Sequence, residues 1–546
     1  FYLTARGTTR TAAENALAIL RDTEPELHLR SVTLTAKDKI CLCETRECTP
    51  EACPYANGYY ARIKGALWDV LDVPCLTAET LQEYAERHTV CPFELGLDSS
   101  LWSDVIIGDY NYLFDPVVHL VRFFESAGDY IFLVDEAHNL PGRAREMHSA
   151  ALTKTSFYEA KKLLGKGKSS LKNALTKVND VFIEWRHRAE EETAARDGRF
   201  GKTFFLKERS EEFDHLLNRL CEPLEAWLDD HREPDETHTA LLQLYFDVRA
   251  WLRVADTFDD HFVLQITASG SEVRAAQLCL DPSAFLADSF ALGRAAVLFS
   301  ATLAPASYYK DLCGVPEARA VALRSPFPAG NQGLFCIGNV STRYKDRDAS
   351  LAIVAESLAT MVRAHCGNYL AFFPSYAYME QAYARFKEHC PEINCIKQEN
   401  AMDEQQKAVF LAQFVPGPSQ PLLGFAVMGG VFGEGVDLTG DRLIGVGIVG
   451  PGLPQVGPRQ EQLRDYFEQT RGSGFDYAYR YPGMNKVLQA AGRVIRTPRD
   501  KGVVLLIDNR FAMPDYRRLM PPHWSHLKMI YDTEKLEREL RRFWEE

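Results

Sequence analysis

The stretch YIFLVDEAHNL, Tyr130 to Leu140, decides how the rest of the chain is interpreted. Its apolar part, residues 130–134, has the length of a buried strand in a parallel sheet. Asp135 and Glu136 then fall at the carboxyl end of that strand, where open α/β sheets bind ligands. Two adjacent acids are costly in that position without a cation or a reacting water. The pattern favours a Walker B site, in which Asp135 holds Mg²⁺ and Glu136 deprotonates the attacking water.

The competing interpretation is a strand that simply ends in two solvated acids. For Asp135 and Glu136 alone, that interpretation is the better one. Ala137 and His138 complete the sequence D-E-A-H. With all four residues present, the sequence favours the nucleotide site.

Composition limits the class of protein. The chain has 546 residues, of which 46% are hydrophobic and 25% charged, as in globular proteins with several domains. No apolar run reaches membrane-spanning length and no signal peptide is visible, so we expect a cytoplasmic protein without a membrane partner. The net charge of −13 means that nucleic acid must be bound by local basic patches. The chain starts at Phe1 rather than Met, within a segment that resembles a strand, so we expect a piece of a longer protein.

Polar residues follow this first strand candidate, in the segment FYLTARGTTR. Thr4 and Arg6 lie at its end and could contact a phosphate backbone. Taken alone, they are equally typical of an ordinary polar loop.

Five cysteines stand close together in a polar part of the chain, at Cys41, Cys43, Cys48, Cys53 and Cys91. Zinc ribbons use C-x-x-C knuckles, and this segment has none. Four thiolates at irregular spacing suit an iron–sulfur cluster better, which leaves either Cys41 or Cys43 spare. Free core cysteines are the alternative, and we apply it to the other eight of the thirteen. Structural disulfides are not expected without a secretory signal.

Two segments flank the DEAH strand. Before it, Tyr110, Tyr112 and Phe114 could stack on bases, but such aromatic residues are more often part of a core. After it, from Met147 to Leu280, long charged stretches with helical periodicity predict an inserted, mostly helical domain.

The stretch AAVLFSATL, Ala295 to Leu303, predicts another strand that ends in the hydroxyl residues Ser300 and Thr302. Such hydroxyls can relay geometry between a phosphate site and a neighbouring domain. As an isolated S-A-T sequence, this is weak evidence.

The second half of the chain has its own strand–turn–helix units. GNYLAFFPSY is a strand with a polar end, and FAVMGGVFGEGVDLTG is a strand followed by a glycine-rich turn. Residues 485–500 predict a helix that carries Gln489, Arg493 and Arg496 on roughly one face. Two arginines on one face suit a γ-phosphate, as arginine fingers do. For the helix in isolation, a solvated basic face is the simpler interpretation.

In their order along the chain, these motifs resemble the superfamily 2 helicases of the XPD/DinG type. The order is TAR, cysteine cluster, DEAH, helical insert, SATL, FFPSY, GVFGEGVD and QAAGRVIR. The resemblance covers nearly the whole chain and implies an α/β fold with two RecA-like parallel-sheet motor domains. An iron–sulfur cluster domain and a helical arch interrupt the first motor domain. The implied activity is ATP-driven helicase movement, 5′ to 3′, on single-stranded or forked DNA in repair or replication. We assume a monomer.

The resemblance also implies domain boundaries. Motor domain 1 would comprise residues 1–40, 92–146 and 281–312. The cluster domain would comprise residues 41–91 and the arch residues 147–280. Motor domain 2 would comprise residues 313–546.

Roles in the first half follow from the same resemblance. Asp135 would hold Mg²⁺, Glu136 would be the general base, and His138 would link the nucleotide to the coupling motif around Ser300 and Thr302. A [4Fe–4S] cluster would be bound by four of the cysteines, namely Cys41, Cys48, Cys53 and Cys91. The last matches the family's Cys-Pro-Phe/Tyr signature, and Cys43 has no counterpart.

The resemblance assigns further residues to the nucleotide and to DNA. Residues of the glycine-rich turn would face both, namely Glu434, Gly435 and Asp437. Gln489 would help to place the water, and Arg493 and Arg496 would be the fingers. The DNA-facing candidates are Thr4, Arg6, Phe373 and Ser375.

One departure from the family concerns the Walker A loop, which would precede the strand at Phe1. Its lysine and hydroxyl residue cradle the phosphates and complete the Mg²⁺ shell. We therefore expect the chain by itself to bind single-stranded DNA but to hydrolyse ATP negligibly. Two rival functions remain open: a DNA-binding remnant without ATPase activity, and an ATP-driven translocase that remodels protein–DNA complexes or R-loops.

Overall fold

A computed structural model describes residues 1–5, 7–24, 26–166, 169–195, 201–233, 235–430, 432 and 438–546. The strands, in chain order, are β1 (Tyr2–Thr4), β2 (Ser31–Thr33), β3 (Cys75–Leu76), β4 (Val105–Asp109), β5 (Ile131–Asp135), β6 (Ala150–Thr153), β7 (Lys202–Leu206), β8 (Phe262–Ser269), β9 (Glu272–Cys279), β10 (Ala295–Phe299), β11 (Gln332–Ile337), β12 (Asn368–Phe373), β13 (Asn394–Lys397), β14 (Leu422–Val427), β15 (Gly445–Val449), β16 (Gly502–Ile507) and β17 (Lys528–Ile530).

The α-helices are α1 (Gly7–Thr23), α2 (Lys37–Ile40), α3 (Tyr59–Val70), α4 (Ala78–His88), α5 (Pro92–Ser99), α6 (Asn111–Phe114), α7 (Val121–Phe124), α8 (Leu140–Met147), α9 (Lys154–Leu163), α10 (Ser170–Ala195), α11 (Glu211–Asp230), α12 (Glu236–Asp256), α13 (Ser283–Ala291), α14 (Ala306–Leu312), α15 (Arg347–Ala364), α16 (Tyr376–His389), α17 (Glu404–Ala412), α18 (Pro458–Arg471), α19 (Tyr481–Ala491), α20 (Pro514–Arg517) and α21 (Thr533–Glu545). Short 3₁₀ helices lie at Ser100–Trp102, Ala137–Asn139, Ala329–Asn331, Tyr344–Asp346, Gly440–Arg442, Asn509–Ala512 and Pro522–Trp524, and a π-helix lies at Asp476–Arg480.

The DEAH strand is an inner strand of the first sheet. This sheet has six parallel strands in the order β10-β5-β1-β4-β2-β3. The predicted strand before Asp135 is therefore confirmed as β5. Because the strands are parallel, their carboxyl ends share one edge, and the pairing sets Thr4 level with Asp109 and Phe299 level with Asp135. Ser300 follows Phe299 directly, so the S-A-T segment begins beside the DEAH residues.

The second sheet is also parallel throughout, with seven strands in the order β13-β14-β12-β15-β16-β11-β17. Its central strands, β12, β15 and β16, are buried along their whole length. Strands that are covered on both faces read as continuous apolar runs, and β12 was predicted from such a run in GNYLAFFPSY. The two parallel sheets confirm the predicted α/β class.

The insert after the DEAH motif contains helices α9 to α12, in agreement with its predicted helical periodicity. It also contains an antiparallel sheet in the order β6-β9-β8-β7, which the prediction of a mostly helical domain did not include. Strands β8 and β9 pair over their full length and turn at Gly270, whose φ is +60°. Helices and sheet share one core, in which Trp251, Phe213 and Phe182 are fully buried.

The chain divides into two compact units. Unit 1 comprises Phe1–Ser300 and Lys310–Pro316, and unit 2 comprises Ala301–Tyr309 and Glu317–Glu546. The S-A-T segment is thus shared, because Ser300 belongs to unit 1 and Thr302 to unit 2. Among the helices that the structure describes, none combines the length and the apolar character needed to cross a bilayer.

Candidate active site

Asp135 closes β5, and its carboxylate accepts hydrogen bonds from a residue of the neighbouring strand and from the residue that follows it. The hydroxyl of Tyr2, on the neighbouring strand β1, donates to Asp135 Oδ2 over 2.8 Å, and the Glu136 amide donates to Oδ1 over 2.8 Å. The hydroxyl of the buried Tyr110 donates to the main-chain carbonyl of Asp135. Burial raises the pKa of the half-buried Asp135 carboxyl, and the Tyr2 hydrogen bond opposes this effect. The result is an oriented carboxylate at the ligand-binding edge, in the position expected of a Mg²⁺ ligand.

Glu136 has a backbone conformation that L residues seldom adopt. Its φ is +49° and its ψ +41°, in the left-handed region. Such a conformation is costly for a residue other than glycine, and in proteins it is concentrated at functional sites. The side chain remains 42% exposed, so a water molecule can reach its carboxylate. This access is necessary for the predicted general base.

The Glu136 carboxylate meets two other predicted residues. The Ser300 hydroxyl donates to Glu136 Oε2 over 3.1 Å, and His138 Nδ1 lies 2.8 Å from Ser300 Oγ and 3.2 Å from Glu136 Oε2. With a proton on Nδ1, the imidazole donates to the serine, whose hydroxyl donates to the glutamate. The structure therefore brings Glu136, His138 and Ser300 into one hydrogen-bonded triad within unit 1.

Thr302 lies two residues beyond the triad, in unit 2, and is buried. Its carbonyl accepts a hydrogen bond from Asn485 Nδ2 over 3.4 Å, and the same amide donates to the Tyr309 hydroxyl over 2.5 Å. Asn485 stands on α19, the helix that carries Gln489. The sequence did not single out Asn485, because a polar residue inside an apolar helix gives no indication of its partner.

The predicted helix from residue 485 to 500 is shorter than expected. Helix α19 ends at Ala491, because Gly492 follows and lacks the side chain that would favour continuation. Gln489 stands in its last turn, whereas Arg493 lies in a turn and Arg496 in irregular chain. The Arg496 amide donates to Asp500 over 2.7 Å, in a loop closed by that carboxylate. The prediction that the three residues share a helix face is therefore wrong.

The DNA-facing candidates fare differently. Thr4 and Phe373 are fully buried, which contradicts a direct contact of either side chain with DNA. Thr4 bonds to the Thr9 hydroxyl, and Phe373 stacks on Phe425 inside the core. Ser375 caps helix α16, where its hydroxyl accepts from the Tyr378 amide over 3.4 Å. Arg6 lies outside the described residues, as do the three predicted residues of the glycine-rich turn, Glu434, Gly435 and Asp437.

Three of the clustered cysteines, Cys41, Cys43 and Cys53, lie near one another. Cys43 Sγ lies 3.8 Å from Cys53 Sγ, and burial, followed by the neighbouring thiols of Cys53 and Cys41, raises the pKa of Cys43 to about 11. Cys91 is the N-cap residue of helix α5. The thiols of Cys48 and Cys91 are both close enough to Lys37 to raise the pKa of its ammonium group. In the described part of the chain, no three His, Cys, Asp or Glu side chains are arranged to hold a metal ion. The structure thus places Cys43, the predicted spare residue, with two predicted ligands.

The aromatic residues before the DEAH strand are core residues. Tyr110, Tyr112 and Phe114 are all buried, as the less specific of the two interpretations predicted. The sequence missed Tyr2 as a partner of Asp135. The pairing of β1 with β5 creates that contact, and no local pattern around Tyr2 indicates it.

Comparisons with known proteins agree with these motifs. A family model described as DEAD_2 matches residues 24–157, and one described as Helicase C-terminal domain matches residues 358–527. The chain is 24% identical to the XPD helicase subunit of general transcription and DNA repair factor IIH from Schizosaccharomyces pombe, over 82% of this chain and 67% of that protein. It is 22% identical to ATP-dependent DNA helicase CHL1 of Coccidioides immitis, over 83% of this chain and 60% of that protein.

A further relative is regulator of telomere elongation helicase 1 of Rattus norvegicus, at 22% identity over 91% of this chain and 45% of that protein. The chain thus spans between 45% and 67% of the lengths of these three relatives. Among solved structures, an XPD helicase matches with a TM-score of 0.61 at 17% identity, over 97% of this chain and 91% of that one. Xpd4 of S. tokodaii matches with a TM-score of 0.56 at 14% identity, over 97% and 95%. These two matches show the fold.

Proposed function

We propose that this chain, which belongs to the XPD/DinG type of superfamily 2 helicases, is the motor of an ATP-dependent DNA helicase. The observation that carries the proposal is the triad of Glu136, His138 and Ser300 beside the oriented carboxylate of Asp135. A structural strand end needs neither a left-handed glutamate nor a histidine and a serine bonded to it. An oriented base beside a cation ligand is the arrangement that accelerates the hydrolysis of a phosphoanhydride.

The chemistry assigned to these residues is water attack on the γ-phosphate of ATP. Glu136 accepts a proton from the water as the new P–O bond forms and the bond to the β-phosphate oxygen breaks. Asp135 would hold Mg²⁺, an ion that neutralises charge on the phosphates when bound. His138 and Ser300 hold the Glu136 carboxylate in one orientation. Because Ser300 is bonded to both Glu136 and His138, its position in unit 1 would depend on the protonation state of Glu136.

For unit 2 we keep the roles implied by the family. Gln489 would help to place the water, and Arg493 and Arg496 would neutralise charge on the γ-phosphate. Arg493 and Arg496 lie beyond the end of α19, in chain that is less regular than a helix. A finger on such a segment can change position between nucleotide states more readily than one fixed on a helix.

The proposed substrate is single-stranded or forked DNA, with movement from 5′ to 3′ in repair or replication. The support is the family relationship together with the names of the relatives, which include a DNA repair factor subunit and a DNA helicase. Direction is tested with duplexes that carry a single-stranded tail at the 5′ or the 3′ end. Unwinding of the 3′-tailed duplex alone would contradict the proposal.

The test of the catalytic base is ATPase activity, measured with single-stranded DNA and with the whole reading frame expressed. Glu136→Gln keeps the size of the side chain but removes the base, so turnover should fall by about 10²- to 10⁴-fold. Glu146→Gln is the matched control, because Glu146 is an exposed acid on α8 that pairs with Arg143. Equal activity of the two variants would sink the assignment.

The triad makes a second, sharper demand. Ser300→Ala removes the donor to Glu136 and should lower turnover less than Glu136→Gln, since the base remains. In the double variant, the loss should match that of Glu136→Gln alone, because serine acts only through the glutamate. Losses that multiply would show that Ser300 acts on its own.

We also propose that Cys41, Cys48, Cys53 and Cys91 bind a [4Fe–4S] cluster. The donor set fits, because cysteine thiolates are the usual ligands of such clusters. The polar segment between Cys41 and Cys53 has no apolar core of its own, so a cluster would supply folding energy to it. When bound, the cluster supplies a redox-active centre and a rigid crosslink between these segments.

Iron and sulfide content after anaerobic purification tests the ligand set. Cys91→Ser should lose both elements, whereas Cys43→Ser should keep them. Cys75→Ser, at a half-buried cysteine outside the cluster, is the matched control. Retention by Cys41→Ser and loss by Cys43→Ser would exchange these two residues. Stoichiometric zinc without iron would contradict the cluster itself.

A further inference from the structure

Arg347 is a half-buried cation that forms no ion pair with any residue that the structure describes. It begins helix α15, and its guanidinium lies over the rings of Tyr378 and Tyr344, with its central carbon 4.9 Å and 5.4 Å from their centroids. Its Nε is buried and makes no hydrogen bond with any described residue. Burial lowers its pKa, and the charged groups that act on it are the two tyrosines and Arg510, with no carboxylate among them.

Lys486 is a second cation of this kind. It stands on α19, and its side chain lies over Gly429, where an added Cβ would come within 3.0 Å of Lys486 Cε and 3.4 Å of Nζ. Gly429 has a φ of +70°, so both its conformation and its neighbour favour glycine. Burial lowers the pKa of Lys486, and no charged group among the described residues opposes or adds to this effect. Among the described residues, no acid accompanies this lysine.

Both cations lie at the carboxyl edge of the unit 2 sheet. Arg347 Nη1 donates to Ser375 Oγ over 3.4 Å, and Ser375 stands two residues after β12. Lys486 contacts Gly429, just after β14, and Gly452, just after β15. The strands β14, β12 and β15 are neighbours in the sheet. Lys486 thus contacts the chain after the strands on both sides of β12, and Arg347 contacts the chain after β12 itself.

The chain carries 75 acidic residues against 62 basic ones, yet neither of these two part-buried cations pairs with an acid among the described residues. Withdrawing a cation from water without a counter-charge is costly, and a bound anion removes that cost. Tyr344, which contacts Arg347, is 86% exposed and offers an open ring face. Exposed aromatic rings beside basic groups are typical of proteins that bind single strands.

We propose that Tyr344, Arg347 and Lys486 bind single-stranded DNA at the carboxyl edge of the unit 2 sheet. We call these three residues the edge strip. Arg347 and Lys486 each contact a backbone phosphate, and Tyr344 stacks on a base. This inference rests on the proposed function, because it names the residues of unit 2 that hold the DNA substrate. Arg347, which donates to Ser375, would then contact DNA at the end of β12, where the buried Phe373 cannot.

The experiment measures binding of a fluorescent oligothymidylate at several salt concentrations, with the whole reading frame expressed. Each phosphate contact on a single strand contributes about 0.7 to the slope of log K against log salt. Arg347→Gln and Lys486→Gln should each lower the slope by about 0.7, and the double variant by about 1.4. Tyr344→Ala should weaken binding about 5- to 150-fold, without changing the slope.

Matched controls remove the same charge elsewhere. Arg363→Gln changes an arginine on the same helix that pairs with Glu392, and Lys407→Gln changes a lysine that pairs with Glu404. Both should leave the slope unchanged. Arg347→Lys keeps the charge and should retain the slope, which separates a lost contact from a misfolded variant.

Three results would overturn the inference. An unchanged slope in Arg347→Gln and Lys486→Gln would exclude the phosphate contacts while leaving the helicase proposal intact. Weakened binding of a fluorescent ADP analogue, with unchanged DNA binding, would assign the two cations to the nucleotide instead. Failure of the unaltered protein to bind single-stranded DNA would refute the proposed function and this inference together.

Discussion

Replacing Arg510 with Met should destabilise strand β16 of the unit 2 sheet and increase its local opening. Arg510 is the partner of Asp508, a fully buried carboxylate that follows β16. The guanidinium donates twice, from Nε to Oδ1 over 2.8 Å and from Nη2 to Oδ2 over 2.9 Å. The remaining donors to Asp508 are neutral, namely the Arg510 amide and the amide and hydroxyl of Thr342. Arg510→Met therefore leaves a buried charge without its counter-charge.

The cost of removing one member of a buried ion pair is about 3–5 kcal/mol. A chain with two compact units is not expected to unfold in a single step, so a global unfolding curve would not isolate this cost. Amide hydrogen exchange reports local opening instead. Exchange across β16 should accelerate by roughly two to three and a half powers of ten. Arg541→Met, which breaks an exposed pair with Glu537, should change exchange there by less than about fivefold.

The effect should depend on pH in a defined direction. Burial alone would raise the pKa of Asp508, but Arg510 and Thr342 outweigh it and hold the pKa below its ordinary value of 3.8. The pair therefore stabilises the native protein above about pH 4, and this contribution is lost as pH falls through the lowered pKa. In Arg510→Met the carboxylate is unpaired, so the difference between variant and unaltered protein should be largest at neutral pH. A difference that stays constant down to acid pH, or that matches Arg541→Met, would refute the reasoning.

Three further predictions concern stability in unit 1. Asp214 is buried, accepts a hydrogen bond from Trp251 over 2.8 Å, and has one oxygen without a partner, so burial raises its pKa and its ionisation destabilises the insert as pH rises through that pKa. Asp214→Asn should therefore slow amide exchange in α11 at pH 7, by a free energy on the order of 1 kcal/mol, and the gain should vanish at acid pH. Gly314→Ala should accelerate exchange in α13 strongly, because φ is +68° and the new Cβ would lie 2.1 Å from the Ser283 carbonyl oxygen. Gly270→Ala should lower the stability of the insert by only about 1–2 kcal/mol. Its φ of +60° is unfavourable for alanine, but the new Cβ would have no atom within 4 Å. Equal losses in these two glycine variants would show that the clash is relieved by backbone movement.

The sequence predicted the parts of the fold that depend on local pattern. Buried parallel strands read as short apolar runs, and a polar residue after each run marks the edge where ligands bind. Asp135 and Ser300 were found in this way, and the structure sets their strands, β5 and β10, side by side. The order of motifs along the chain then identified the family, which neither strand could have done alone.

The parts that the sequence missed depend on contacts between distant residues. Tyr2 reaches Asp135 only because β1 pairs with β5, and Asn485 reaches Thr302 across 183 positions of chain. The family resemblance assigned Phe373 to DNA, but β12 is an inner strand whose side chains are buried along its whole length, Phe373 included. Gly492 was a local signal for the end of α19. The prediction instead followed the spacing of Gln489, Arg493 and Arg496, and so it extended the helix too far.

The left-handed conformation at Glu136 explains how two adjacent acids can serve two different purposes. Successive side chains of a strand point to opposite faces, so in a continued strand Asp135 and Glu136 would point away from each other. The left-handed residue ends the strand and redirects the chain into the 3₁₀ turn at Ala137–Asn139. Asp135 stays with the strand, bonded to Tyr2, whereas Glu136 joins His138 and Ser300. The backbone cost at Glu136, of order 1–3 kcal/mol, is offset by those bonds and by the packing around the turn. Glycine at this position would relieve the strain but would lack the carboxylate, so the site needs an acid where the backbone alone favours glycine.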